Sequence, residues 1–195
     1  MRIIRAATRE EVVSHYIASE LKRFLENAEK EPQLASKFAK ALSEPGQPGE
    51  GTLHHMSRAL LGTWREHCWL HEQFWHHNLL WSLVELAPSE INVMPLGGAA
   101  DKFHYPNLDD FVKELRVAAQ RRQRITGVHD DPNVLLASRE EPMLKRIIVI
   151  NGQYGNRNFK YAIGDGAHRA IILTARGHVP LEAYWGSPSV CGCIR

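Results

Sequence analysis

Tyr161-Ala162-Ile163-Gly164-Asp165-Gly166-Ala167-His168-Arg169-Ala170-Ile171-Ile172-Leu173 reads as a strand, a glycine-bracketed turn and the start of a short helix. Gly164 and Gly166 permit positive φ and let a ligand approach the backbone closely. A helix starting at Ala167 leaves the N–H groups of Ala167, His168 and Arg169 without intrahelical acceptors, at the positive end of the macrodipole. Such a place attracts anions, phosphate above all. His168 and Arg169 bring side-chain donors to the same spot, and the guanidinium fork matches two phosphate oxygens. Gly164, Gly166, Ala167, His168 and Arg169 are therefore the candidate anion-binding residues.

The flanks agree with this reading. Upstream, Lys145-Arg146-Ile147-Ile148-Val149-Ile150 is a β-branched block that predicts a buried strand. Downstream, Thr174-Ala175-Arg176-Gly177 ends the helix with a cation in its last turn and a glycine just beyond. Val179 to Trp185 reads as a further strand, and Ser82-Leu83-Val84-Glu85-Leu86 as an earlier one. Between them, Asn107-Leu108-Asp109-Asp110 caps a helix running through Phe111, Val112, Leu115 and Ala118. That helix ends in the basic run Arg121, Arg122 and Arg124.

The first part of the chain reads differently. Thr8-Arg9-Glu10-Glu11 fits a capping box, and Val12, Val13, Tyr16, Ile17, Leu21, Phe24 and Leu25 follow at helical spacing. Leu34, Phe38, Ala41 and Leu42 suggest a second helix, and proline and glycine from 43 to 51 predict a loop. From Leu53 to about Trp81 the apolar residues again keep a helical period. The expected fold class is α+β: a helical region over 1–80, then a small α/β domain over 81–195.

Four of the five tryptophans and six histidines lie between Leu53 and Trp81. His67 and His71, four apart, share a helix face and could form a metal pair. His71-Glu72-Gln73-Phe74-Trp75-His76 is one residue longer than the zinc-protease signature, and on a continuous helix its histidines would point about 140° apart. With no third ligand evident, an aromatic helix packed on a neighbour is the expected reading.

Composition bounds the function. The chain has 195 residues, with 24 basic against 22 acidic side chains for a net charge of +2, too small for a general pull on nucleic acid. Three cysteines, including Cys191 and Cys193, do not make a disulfide framework. Met1-Arg2-Ile3-Ile4-Arg5 leads into charged residues rather than a secretory apolar segment, and no apolar run is long enough to span a membrane. The expected location is the cytoplasm.

Over Trp81 to Gly186, the order strand, Asp165-Gly166-Ala167-His168-Arg169, short helix, Gly177, Val179-Pro180, strand resembles the ParB/sulfiredoxin superfamily. That resemblance implies a nucleotide, ATP with Mg²⁺, whose phosphates rest on the turn. It gives Asp165, His168 and Arg169 as candidate catalytic residues. Asp165 has two readings, as the Mg²⁺ ligand or as a carboxylate capping the helix. His168 could exchange a proton near neutral pH. Three departures matter. Ala167 stands where sulfiredoxins have cysteine, so sulfinic-acid repair is not expected. Asn92-Val93-Met94-Pro95 replaces the His-Glu pair of free-serine kinases, which weakens a small-molecule kinase reading. The DNA-reading helices of ParB partition proteins have no counterpart in the nine residues after Gly186, so DNA contact through Arg121, Arg122 and Arg124 would lack sequence preference.

A helical region before a bare domain of this kind looks most like the Osa-like plasmid fertility-inhibition (oncogenic suppression) proteins. That likeness implies ATP hydrolysis, sequence-nonspecific DNase activity, and a block on substrate transfer by a type IV secretion system. The alternative class is a non-catalytic module whose aromatic helix docks on a protein partner.

Overall fold

The computed structural model describes residues 1–26, 36, 40, 49–59, 65–93, 107–123, 136, 145–154 and 157–188; within these, the side chains of 21–26, 55, 59, 65–69, 152–154 and 157–159 fall outside the description. The expected helix around Leu34 to Leu42 and the positions of Arg124, Cys191 and Cys193 also lie outside the described residues. In chain order the elements are β1 (Arg2–Ala7), α1 (Arg9–Glu26), α2 (Glu50–Ala59), α3 (Arg65–Trp75), β2 (Leu79–Leu86), α4 (Leu108–Arg121), β3 (Ile147–Tyr154), β4 (Arg157–Asp165), α5 (Ala167–Ala175) and β5 (Leu181–Pro188). The fold is mixed α+β. Among the described residues no helix is long and apolar enough to cross a membrane.

The strands form one sheet in the order β1-β2-β5-β3-β4. β3 is the reason for this arrangement: Ile147, Ile148, Val149 and Ile150 are all fully buried, so both of its faces need cover. It runs parallel to β5, with Ile147 opposite Ala183 and Val149 opposite Trp185, and antiparallel to β4. On one face Ile147, Val149, Ile163, Leu181 and Ala183 meet the apolar sides of α4 and α5. α4 buries Leu108, Phe111, Val112, Leu115 and Ala118, a single stripe at helical spacing. It packs on α5, and Arg116 Nη2 donates to the carbonyl of Ala175 at 2.6 Å, meeting the negative end of that helix.

Two details of the sheet bear on the site. Ile148 lies opposite Asp165 and Val149 opposite Ile163, so β4 advances by two residues where β3 advances by one. The additional residue is Gly164, in a β-bulge that breaks the in–out alternation of the strand just before Asp165. The outer edge of β4 is covered by Asn92, which donates its N–H to the Tyr161 carbonyl (2.9 Å) and accepts on Oδ1 from the Tyr161 N–H (3.3 Å).

The residues divide into two compact units. One holds Met1–Arg5 with Ser82–Gly186; the other holds Ala6–Trp81 with Ser187 and Pro188. An entirely helical region to residue 80 is therefore not what forms. Arg2-Ile3-Ile4-Arg5 lies in β1 and pairs with the sheet, fixed by an ion pair between Arg2 and Glu85. Two β-branched residues between arginines are too short a run for periodicity to reveal. The single helical run expected from Leu53 to Trp81 is likewise divided. α2 begins earlier than the expected loop allows, at Glu50, whose carboxylate pairs with Arg9 at 3.1 Å; α3 ends at Trp75, and β2 takes over from Leu79.

In the helical unit α1 is capped as its sequence predicts, the Thr8 hydroxyl accepting from the Glu11 N–H at 3.2 Å. Val12, Val13, Tyr16 and Ile17 are buried, as are Leu53 and Met56 of α2 and Leu70 and Phe74 of α3. Tyr16, Phe74 and Trp81 meet in sequence as tilted rings, with centroids 5.5 and 5.8 Å apart.

The cap of α4 gives a direct test of this description. Asn107 accepts from the Asp110 N–H on Oδ1 at 2.9 Å, while its own amide donates to the Asp110 carboxylate at 3.0 Å. Asn107→Ala should cost about 1 kcal/mol in chemical denaturation, and Asn107→Asp much less, since aspartate caps about as well.

Candidate functional site

The turn between β4 and α5 has the form its sequence predicts, a strand, a glycine and then a helix. Gly166 is the N-cap of α5, in the left-handed region at φ 87°, ψ 27°. That conformation costs a residue with a Cβ about 1–2 kcal/mol, which explains the glycine. The first intrahelical bond runs from the Ala170 N–H to the Gly166 carbonyl at 2.9 Å. A glycine N-cap has no side chain of its own to offer the first-turn amides. Asp165 immediately precedes this N-cap.

Asp165 pairs with Arg169: Oδ2 accepts from Nη2 at 2.6 Å, and the two side chains are only 13% and 16% exposed. The four-residue spacing puts both on one side of the helix start. The guanidinium lies against the backbone of Gly166. A Cβ built there would stand 2.7 Å from Nη2, 2.8 Å from Nε and 3.0 Å from Ile147 Cγ2. Gly166 is therefore needed twice, for its φ and for the space Arg169 occupies. The Nε atom of Arg169 is buried and has no hydrogen-bond partner among the described residues. His168 is exposed beside it, and Ala167 is partly buried against the core. Gly164 occupies the bulge, half-buried, so its part is to aim the turn.

Sequence reading missed the Asp165–Arg169 pair, though an acid and a base four residues apart across a helix start are a recoverable signal. Arg121 and Arg122 are exposed at the end of α4, on a different element from the turn; Arg122 forms the left-handed C-cap at φ 53°.

The histidines of α2 and α3 make a second polar cluster. The buried hydroxyl of Ser57 donates to the His54 carbonyl (3.0 Å), accepts from Trp75 Nε1 (2.9 Å), and meets His71 Nδ1 at 3.1 Å. With its one proton committed to the carbonyl, Ser57 receives the third bond from Nδ1–H. A serine so placed, 2% exposed, is not an activated nucleophile. Burial holds the His71 pKa below its ordinary value of 6.5, and the neighbouring His54, His76 and Arg58 push the same way. The expected divergence of His71 and His76 does not occur: α3 stops at Trp75, and beyond it the His76 ring comes to 6.0 Å from that of His71, edge-on. The His67 side chain lies outside the described residues. Among the described residues no group of three His, Cys, Asp or Glu is arranged to hold a metal ion.

Two outcomes are expected. Gly166→Ala should lose about 1–2 kcal/mol of stability from its backbone alone, and the penalty should shrink in an Arg169→Ala background, where the guanidinium no longer opposes the new Cβ. Denaturant titration of the four proteins reads both effects. For His71, the unfolded chain takes up a proton near pH 6.5 that the folded protein resists, so stability falls as pH drops through 6.5 toward the lowered value. His71→Gln should lose less stability than wild type between pH 7.5 and 5.5, again by denaturant titration.

Comparison with models of known protein families, with curated proteins and with solved structures gives no match.

Proposed function

We propose that this protein binds the phosphate groups of a nucleotide, ATP being the expected one, on the turn from Gly166 to Arg169. The observation that carries the reading is Arg169 Nε, a buried donor without a partner among the described residues, on a guanidinium held at the start of a helix. Leaving such a group unsatisfied costs about 1–3 kcal/mol, which an anion at the turn would recover. The helix dipole and exposed His168 favour the same charge.

The residues fit the phosphates better than they fit a resident Mg²⁺. Asp165 is a single carboxylate whose Oδ2 is committed to Arg169, and among the described residues no further acid or histidine completes a metal group. Phosphate binding is the part of the reading that rests on geometry. ATP turnover, sequence-nonspecific DNA cleavage and a block on type IV secretion rest on the family resemblance.

The non-catalytic reading is less favoured, because the described apolar side chains of the aromatic helix pack within their own unit. Phe74 and Leu70 are buried, and Trp75 lies against His54 with the Arg9 guanidinium 5.5 Å above its ring.

Calorimetric titration with ATP, ADP and AMP tests the proposal. Arg169→Ala should weaken binding by about 1.5–3 kcal/mol, the worth of a hydrogen bond to a charged group. Equal affinity of wild type and variant, or heat from neither, would overturn it.

A further inference from the structure

We propose that Asp165 is a positioning residue that holds the Arg169 guanidinium in the turn by standing in for the anion, so that a bound phosphate displaces a carboxylate. This rests on the phosphate-binding reading of the same turn and gives that site its affinity control.

The geometry that supports it is specific. A cation in the first turn of a helix is opposed by the macrodipole, and Arg169 sits three residues after the N-cap of α5. The Asp165 carboxylate, 2.6 Å from Nη2, offsets that conflict and keeps the guanidinium folded over Gly166. The neutralisation is partial. Arginine pairs most strongly with an oxyanion through two parallel N–H bonds, and here Nη2 is engaged while Nε is buried without a partner among the described residues. A phosphate offers several oxygens and engages Nε and Nη2 together. The exchange keeps the bond that Asp165 made and adds the one it leaves unmade. Its cost is the release of a carboxylate that then faces the bound anion, a like-charge contact. Asp165 thus lowers the affinity of the site while ordering the residue that binds. A carboxylate that served as a ligand's metal anchor would act in the opposite sense, since its removal would weaken binding.

Inorganic pyrophosphate in buffer containing EDTA is a suitable probe, because it carries phosphate without a base and excludes metal bridging. Its affinity is measured by calorimetry for wild type, Asp165→Asn, Asp165→Ala, Arg169→Ala and the Asp165→Asn/Arg169→Ala double variant, each checked for native circular dichroism. Both Asp165 variants should bind about ten-fold tighter than wild type, and the gain should vanish in the double variant. Damage to the fold weakens binding, so a tightening is a readout that a merely structural role would not give. Wild-type binding with no gain in either Asp165 variant would overturn the positioning role and leave the phosphate site standing. A gain that survives loss of Arg169 would also overturn it, by tracing the effect to net charge alone. Absence of binding in wild type and in both Asp165 variants would remove the phosphate reading and this inference with it.

Discussion

Burial of β3 on both faces is the constraint from which the rest of the structure follows. Four consecutive residues, Ile147 to Ile150, have no exposed surface. A strand in that position must have a neighbour on each edge and cover above and below. β4 and β5 supply the edges, and α4 and α5 cover one face with stripes of leucine, isoleucine, valine and phenylalanine. β4 is then held between β3 and Asn92, and its end has to turn into α5 close to the core. The Ile147 methyl that would stand 3.0 Å from a Cβ at Gly166 shows how closely the turn is packed against that strand. The candidate site is in this sense built on the most buried strand of the protein, which makes it a rigid place to present donors.

Strong local signals were legible in the sequence. The β-branched block, the Asn107 cap and the stripe of α4 follow from side-chain chemistry within a few residues, and each forms where its pattern puts it. The turn belongs to the same class, because a glycine at positive φ before a helix is a local requirement. What was illegible depends on partners distant in sequence. β1 is a strand because β2 is beside it, although nothing in Arg2-Ile3-Ile4-Arg5 alone demands one. The bulge at Gly164 exists only against the register of β3. The approach of His76 to His71 depends on where α3 stops, and the run from Leu53 to Trp81 gives no strong stop signal before His76.

Within the site, the residues singled out from the sequence meet unequally. Asp165, Gly166 and Arg169 form one packed group, His168 stands exposed beside it, and Ala167 leans into the core. A guanidinium at the positive end of a helix needs a nearby carboxylate whether or not a ligand comes, so the sequence positions chosen for binding also serve the unliganded fold.

The division of the chain into units has a consequence for folding order. Residues 1–5 belong with residues 82–186, so the sheet unit is interrupted by the helical one. During synthesis the first strand leaves the ribosome long before β2, its partner in the sheet, and longer still before β3 to β5. The helical segments can gain their local contacts early, whereas the sheet depends on closing a loop of nearly eighty residues and forms late. In that interval Arg2-Ile3-Ile4-Arg5 is an apolar strand segment without its neighbour. The two flanking arginines then have a further use, as charges that discourage pairing with the wrong strand.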